Sequence, residues 1–222
     1  MELFIDSADL DEVRQAVALG VISGATTNPK LAAAAEPGSF KRRIEEMLAL
    51  CPGPISVEVV SECVEEMLTE ARDYAAWHER IVVKIPMSLE GLEVIHKLER
   101  EHHIRVNVTC MMNSNQALLA MMADATYVSL FIGRISDMGH DAFGTIGETA
   151  EFIERGGFKA RIIACSMRQI GDVQRSFLAG AHIVTSSYKF ISGMVHHPRS
   201  VETIREFKEA WDDARDQGGL SG

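Results

Sequence analysis

Two ionisable residues stand inside runs that are otherwise apolar. Lys84 lies in Ile81-Val82-Val83-Lys84-Ile85-Pro86, and Glu58 lies in Ile55-Ser56-Val57-Glu58-Val59-Val60. Each run has the β-branched content of a strand covered on both faces. Burying an unpaired charge in such a strand is costly. Desolvation disfavours the ammonium form of a lysine, and a neutral amine is what attack on a ketone requires. The residue types therefore point to amine chemistry on a carbonyl compound. The alternative is a buried Lys84–Glu58 ion pair that only supports the fold.

Both runs belong to a longer alternation of short apolar segments with helical patterns, the signal of parallel βαβ units. Eight strands are expected at Met1–Asp6, Ile22–Thr26, Ile55–Val60, Ile81–Ile85, Arg105–Val108, Tyr127–Leu130, Arg161–Ala164 and His182–Thr185. Amphipathic stretches between them include Phe40–Leu50, Val64–Trp77, Leu89–Arg100 and Glu148–Arg155. A charged stretch, Val201–Arg215, reads as the core of a closing helix at about 199–217. Gly156–Gly157 reads as a helix stop and Gly218–Gly219 as a frayed tail. Eight units without a linker imply a single-domain (β/α)8 TIM barrel over residues 1–222. An open doubly wound sheet usually carries a glycine-rich turn after its first strand, and Asp6-Ser7-Ala8-Asp9 is not one.

A barrel gathers its chemistry at the C-terminal ends of its strands. Read in order, those ends supply Asp6, Thr26-Thr27-Asn28, Glu58, Lys84, Asn107 with Thr109, Ser129 with Phe131, Ser166 and Thr185. Helix N-caps account for a few polar residues at such places, but not for ionisable groups inside apolar strands. Strand parity puts Arg105, Asn107 and Thr109 on one face, and Tyr127, Ser129 and Phe131 on one face. These groups are expected to converge near the mouth of the barrel.

Composition narrows the partners. A net charge of -10 argues against nucleic acid, while a local basic pocket for a small anion remains compatible with it. No apolar run approaches a membrane span. Met1–Asp6 reads as a strand and not as a signal peptide. Cys51, Cys63, Cys110 and Cys165 form no C-x-x-C pair, so they read as cytosolic thiols in a cytoplasmic protein. His102–His103 and His196–His197 lack an accompanying Cys or carboxylate cluster and are expected to bind no metal.

With these residues in place, the sequence resembles the transaldolase family, in the short form that includes fructose-6-phosphate aldolases. The resemblance covers nearly the whole chain. It rests on Phe4-Ile5-Asp6, Gly24-Ala25-Thr26-Thr27-Asn28-Pro29, Ser56-Val57-Glu58, Val83-Lys84-Ile85-Pro86-Met87, Asn107-Val108-Thr109, Ser114-Asn115-Gln116-Ala117, Phe131-Ile132-Gly133-Arg134 and Ser166-Met167-Arg168. The T-T-N-P and V-K-I-P motifs, in this order, are specific together and weak singly.

The resemblance implies that Lys84 forms a Schiff base with a ketose and that Asp6 is the general acid/base at the breaking carbon–carbon bond. It implies that Glu58, with a water held near Thr109, moves protons. Thr26, Asn28, Asn107 and Ser129 would hold the dihydroxyacetone unit, beside Phe131. Arg134, Ser166 and Arg168 match the family's phosphate positions. No metal or organic cofactor is implied. The partners implied are sugar phosphates or sulfonates and further copies of the chain, in a ring-shaped decamer reached by the C-terminal helix.

In the family, the aldolase branch resembles Tyr at the position of Phe131 and Gln at that of Glu58. Phe and Glu here are the transaldolase pair, and a phenyl ring cannot donate the proton that a phenol can. A non-catalytic sugar-phosphate binder would need no buried lysine. The chain departs from the family at Leu130, usually Pro, at Cys110-Met111-Met112-Asn113, and at Ser186-Ser187-Tyr188-Lys189, usually an apolar-Pro pair. These departures leave a sulfonated sugar open beside a phosphorylated one, with Lys189 as a further candidate contact or a solvated side chain.

Overall fold

The structure is a computed structural model that describes residues 1–34 and 40–216. Eight parallel strands close in sequence order into one barrel: β1 (Glu2–Asp6), β2 (Ile22–Thr26), β3 (Ile55–Glu58), β4 (Ile81–Pro86), β5 (Val106–Met111), β6 (Tyr127–Phe131), β7 (Arg161–Cys165) and β8 (Ile183–Ser186). Helices α1 (Leu10–Ala18), α2 (Pro29–Ala34), α3 (Phe40–Leu50), α4 (Val64–Trp77), α5 (Leu89–Arg100) and α6 (Ser114–Met122) occupy the first half. The second half carries α7 (Ile132–Asp137), α8 (Ala142–Gly156), α9 (Gly171–Leu178), α10 (Tyr188–Gly193) and α11 (Pro198–Asp216). This is the (β/α)8 TIM barrel expected from the sequence. None of the helices among the described residues is long and apolar enough to cross a membrane.

The period of two along each strand sorts side chains into layers. Phe4, Val82, Tyr127, Ile163 and Ile183 form their own buried cluster, the floor of the barrel interior. Two residues further along the same strands stand Asp6, Lys84, Ser129, Cys165 and Thr185. The alternate positions, such as Ile5, Val83, Ile85, Val128, Ile162 and Val184, join the larger core packed under the helices. Leu130, one of the departures from the family, packs in that outer core.

Where strand ends differ from expectation, hydrogen bonds give the reason. β3 stops at Glu58, two residues before Val60, because the Val60 and Ser61 amides both donate to the Glu70 carboxylate on α4 instead of continuing the ladder. β5 runs past Val108 to Met111 through a bulge, where the pairing register with β6 shifts and Cys110 takes a left-handed φ of 61°. Arg105 precedes that strand and donates to the Glu79 carbonyl, so the expected placement of Arg105 at the mouth is corrected. Tyr127 likewise lies in the floor. α8 begins at Ala142, not near Glu148, with Asp141 accepting from the Gly144 amide as its cap. It ends as expected at Gly157, in the left-handed conformation. α11 begins at Pro198 and contains the expected stretch, while Gly218–Gly219 lies outside the described residues.

One carboxylate fixes the starts of β5 and β6 together. Glu99 Oε1 on α5 accepts from the Val106 amide at 2.7 Å, and from the Thr126 amide and hydroxyl at 2.8 Å each. Removing it strands these half-buried donors. Glu99→Ala is expected to lower the unfolding free energy by roughly 1–3 kcal/mol in urea titration, whereas an unchanged midpoint would mean that solvent satisfies the two strand starts.

Candidate active site

β3 and β4 pair with Glu58 opposite Lys84, and this register brings the two charges into contact. Lys84 Nζ lies 2.9 Å from Glu58 Oε2, with the side chains 7% and 12% exposed. The same ammonium donates to the Thr27 carbonyl at 3.0 Å. The ion pair considered from the sequence thus exists, but it sits in a layer of polar groups and not in an isolated apolar core.

Asp6 joins it from β1. Its side chain is half-buried by surface area yet densely ringed by protein atoms. Burial pushes its carboxyl above the ordinary value, against the opposing pull of the Lys84 charge and a hydrogen bond from Thr26, and with a further push from the Glu58 charge. Thr26 Oγ1 donates to Asp6 Oδ1 at 2.7 Å and lies 2.6 Å from Thr185 Oγ1. A hydroxyl has one hydrogen, so Thr185 donates to Thr26 and Thr26 donates to Asp6.

A second chain crosses the other side of the site. Ser129 Oγ donates to Asn107 Oδ1 at 2.7 Å, and Asn107 Nδ2 donates to Ser56 Oγ at 3.0 Å. Thr109 Oγ1 is buried beside Cys110 and has no well-formed hydrogen-bond partner among the described residues. Asn28 supports the local backbone, because its side-chain carbonyl oxygen accepts from the Leu31 amide and caps α2 ahead of Pro29.

Phe131 closes β6 half-buried, and the exposed Arg134 places its guanidinium 4.9 Å from the ring centroid. Arg168 is held from two sides. Its Nε and Nη2 donate to Asp137 at 3.1 and 2.5 Å, and its Nη1 donates to the carbonyl and hydroxyl of Ser166 at 3.1 and 3.2 Å. Ser166 takes a left-handed φ of 64°. Gly133 makes room for this turn, since a Cβ there would come within 1.9 Å of the Ser166 carbonyl oxygen and 2.8 Å of Arg168 Nη1. Lys189 is exposed on α10.

Asp137 is the residue that sequence reasoning missed. Its spacing from Arg134 on a short helix suggests a local i,i+3 pair, whereas its partner lies on the β7 loop. The Arg168 hydrogen bond holds the Asp137 carboxyl below its ordinary value. Two thiols lie within the field of the Lys84–Glu58 pair. Cys165 donates to the Leu130 carbonyl, and burial holds it well above the ordinary range. Burial raises Cys110 as well, with the Glu58 charge adding to it. The four histidines of the two His-His pairs are exposed, and no group of His, Cys, Asp and Glu among the described residues could hold a metal ion.

Comparison with known proteins gives this arrangement its context. The family model described as Transaldolase/Fructose-6-phosphate aldolase matches residues 3–218. The chain belongs to this family. It is 43% identical to a probable transaldolase of Desulforudis audaxviator over 95% of the chain and 97% of the relative. It is 42% identical to a probable transaldolase of Pelotomaculum thermopropionicum over 98% of the chain and 100% of the relative, and 44% identical to one of Thermoanaerobacter sp. over 96% and 98%. The protein is an enzyme of the transaldolase kind.

The raised carboxyl in the transaldolase barrel has a measurable cost. Asp6 has a higher pKa folded than the roughly 3.9 of an unfolded aspartate. Its protonated form therefore contributes stability that is fully present below the unfolded value and is lost as pH rises through the native one. Asp6→Asn keeps an acceptor for Thr26 and removes the charge. It should be more stable than the parent at neutral pH, with the excess shrinking as the pH falls toward about 4. An excess that does not change with pH in urea unfolding contradicts this account.

Proposed function

We propose that this protein is a Schiff-base transaldolase that moves a dihydroxyacetone unit from an anionic ketose, a sugar phosphate, to an aldose phosphate. The observation that carries the reading is Lys84, paired with Glu58 at 2.9 Å in a polar layer it shares with a desolvated Asp6. Lys84 as the amine attacks C2 of the ketose, and loss of water leaves an iminium. Asp6 takes the proton of the C4 hydroxyl, the C3–C4 bond breaks, and its electron pair moves into the iminium to give an enamine. The aldehyde departs. The enamine then attacks the carbonyl of the acceptor, and Asp6 returns its proton to the new hydroxyl. A carboxyl raised by burial suits both directions of that transfer. Glu58, with a water near Thr109, relays the protons of imine formation and hydrolysis. The iminium is the electron sink, so no step runs through a cofactor.

Thr26, Asn28, Asn107 and Ser129 hold the hydroxyls of the three-carbon unit, and the two hydrogen-bond chains support the reading by fixing the side chains of Thr26, Asn107 and Ser129 in advance. Arg134, Ser166 and Arg168 take the anionic end. A sulfonated ketose is the second reading. Asp137 offsets one of the two guanidinium charges, which suits a monoanion. Self-association through α11 belongs to the same proposal. Its support is a stripe of Val201, Ile204, Phe207 and Trp211, each more than half exposed.

Borohydride reduction with a ketose donor should add the mass of a three-carbon unit to the peptide that holds Lys84. A label on another lysine, or none, overturns the mechanism. Phe131→Tyr should raise release of free dihydroxyacetone relative to transfer, because the phenol supplies a proton donor that the ring lacks. A ratio of the two rates that does not move removes the argument for transfer over cleavage.

A further inference from the structure

We infer that Asp137 is a positioning residue for the anion site, acting through Arg168. The inference rests on the reading that Arg168 meets the anionic end of the substrate.

Arg168 is a long side chain with its guanidinium at the surface, where it would ordinarily sample many rotamers. Here it is fixed from two directions. Asp137 accepts from Nε and Nη2, and Ser166 accepts from Nη1 through both its carbonyl and its hydroxyl. The Arg168 and Asp137 side chains are 46% and 54% exposed. A pair so wet adds little to stability, so four contacts on one exposed guanidinium are poorly explained as a support for the fold.

The surroundings are shaped to keep that orientation. α7 supplies both Gly133 and Asp137, which stand four residues apart and so share one helix face. Gly133 admits the guanidinium, because a Cβ would meet Nη1 at 2.8 Å. Asp137 then holds its far edge. Ser166 accepts from the near side out of a left-handed turn that a non-glycine residue rarely adopts. α7 follows directly from β6, whose last residue is Phe131. The same short helix carries Arg134, so Asp137 locks the arginine of the β7 loop to the helix that bears the other arginine. Two guanidinium groups at a set separation are what a tetrahedral oxyanion needs for simultaneous contact.

The experiment measures transfer to erythrose, an uncharged acceptor, from fructose 6-phosphate and from fructose, in Asp137→Ala, Arg168→Ala and the double variant. Asp137→Ala should raise KM for the phosphorylated donor about tenfold more than for fructose, the scale of a misaimed contact. In the Arg168→Ala background the same change should alter KM less than about twofold, as for two residues acting through one contact. Asp137→Asn, which keeps the volume and one acceptor, should fall between parent and alanine variant. If Arg168→Ala raises KM selectively while Asp137→Ala leaves it unchanged or lowers it, Asp137 does not position the guanidinium, and the anion-site reading stands. Equal losses on both donors in Asp137→Ala mean a structural role and overturn the inference. If Arg168→Ala has no selective effect, the anion-site reading itself fails, and the inference goes with it.

Discussion

A charge in the interior of a β-barrel is stable only if the barrel brings it a partner. Lys84 and Glu58 meet because β3 and β4 pair in the one register that sets them side by side. A slip of one residue would turn one of the two toward the helices. That register is held from outside the barrel, by the outer core under α4 and α5 and by Glu70, which draws the chain out of β3 just beyond Glu58. Removing either partner would leave the other as a buried unpaired charge, the costliest kind of polar defect. The remainder of the polar layer is built around this pair.

Above the apolar floor, nearly every side chain of that layer is tied to another strand. Thr185 and Thr26 link β8 and β2 to Asp6 on β1. Ser129 and Asn107 link β6 and β5 to Ser56 on β3. Such chains fix hydroxyl and amide directions without any loop having to move. They also explain how Asp6 tolerates its position. Part of the cost of its burial is offset by Thr26 and by the Lys84 charge, and the rest is carried by the fold.

The barrel and its central pair were legible in the sequence because ionisable residues in β-branched runs have few explanations. Lys84 and Glu58 stood out that way, Asp6, Asn107 and Ser129 stood out as polar groups at strand ends, and all five lie in the polar layer of the barrel. What escaped was long-range or geometric. The partner of Asp137 lies 31 residues away on another loop, and nothing local marks it. The β5 bulge is written in Cys110, a residue with no special preference for a left-handed φ. The early end of β3 depends on Glu70, ten residues on from Val60. Asn28 carries a family motif and a helix cap at once, and sequence alone does not separate the two roles.

The floor of Phe4, Val82, Tyr127, Ile163 and Ile183 has a bearing on traffic. These five side chains are buried across the barrel below the polar layer and, among the described residues, close the interior on that side. A molecule that reaches Lys84 enters and leaves by the same door. For a reaction of the kind proposed, the first aldehyde must vacate that passage before the second can enter. Architecture alone then imposes an order on the two substrates, with the three-carbon fragment waiting on the enzyme between visits.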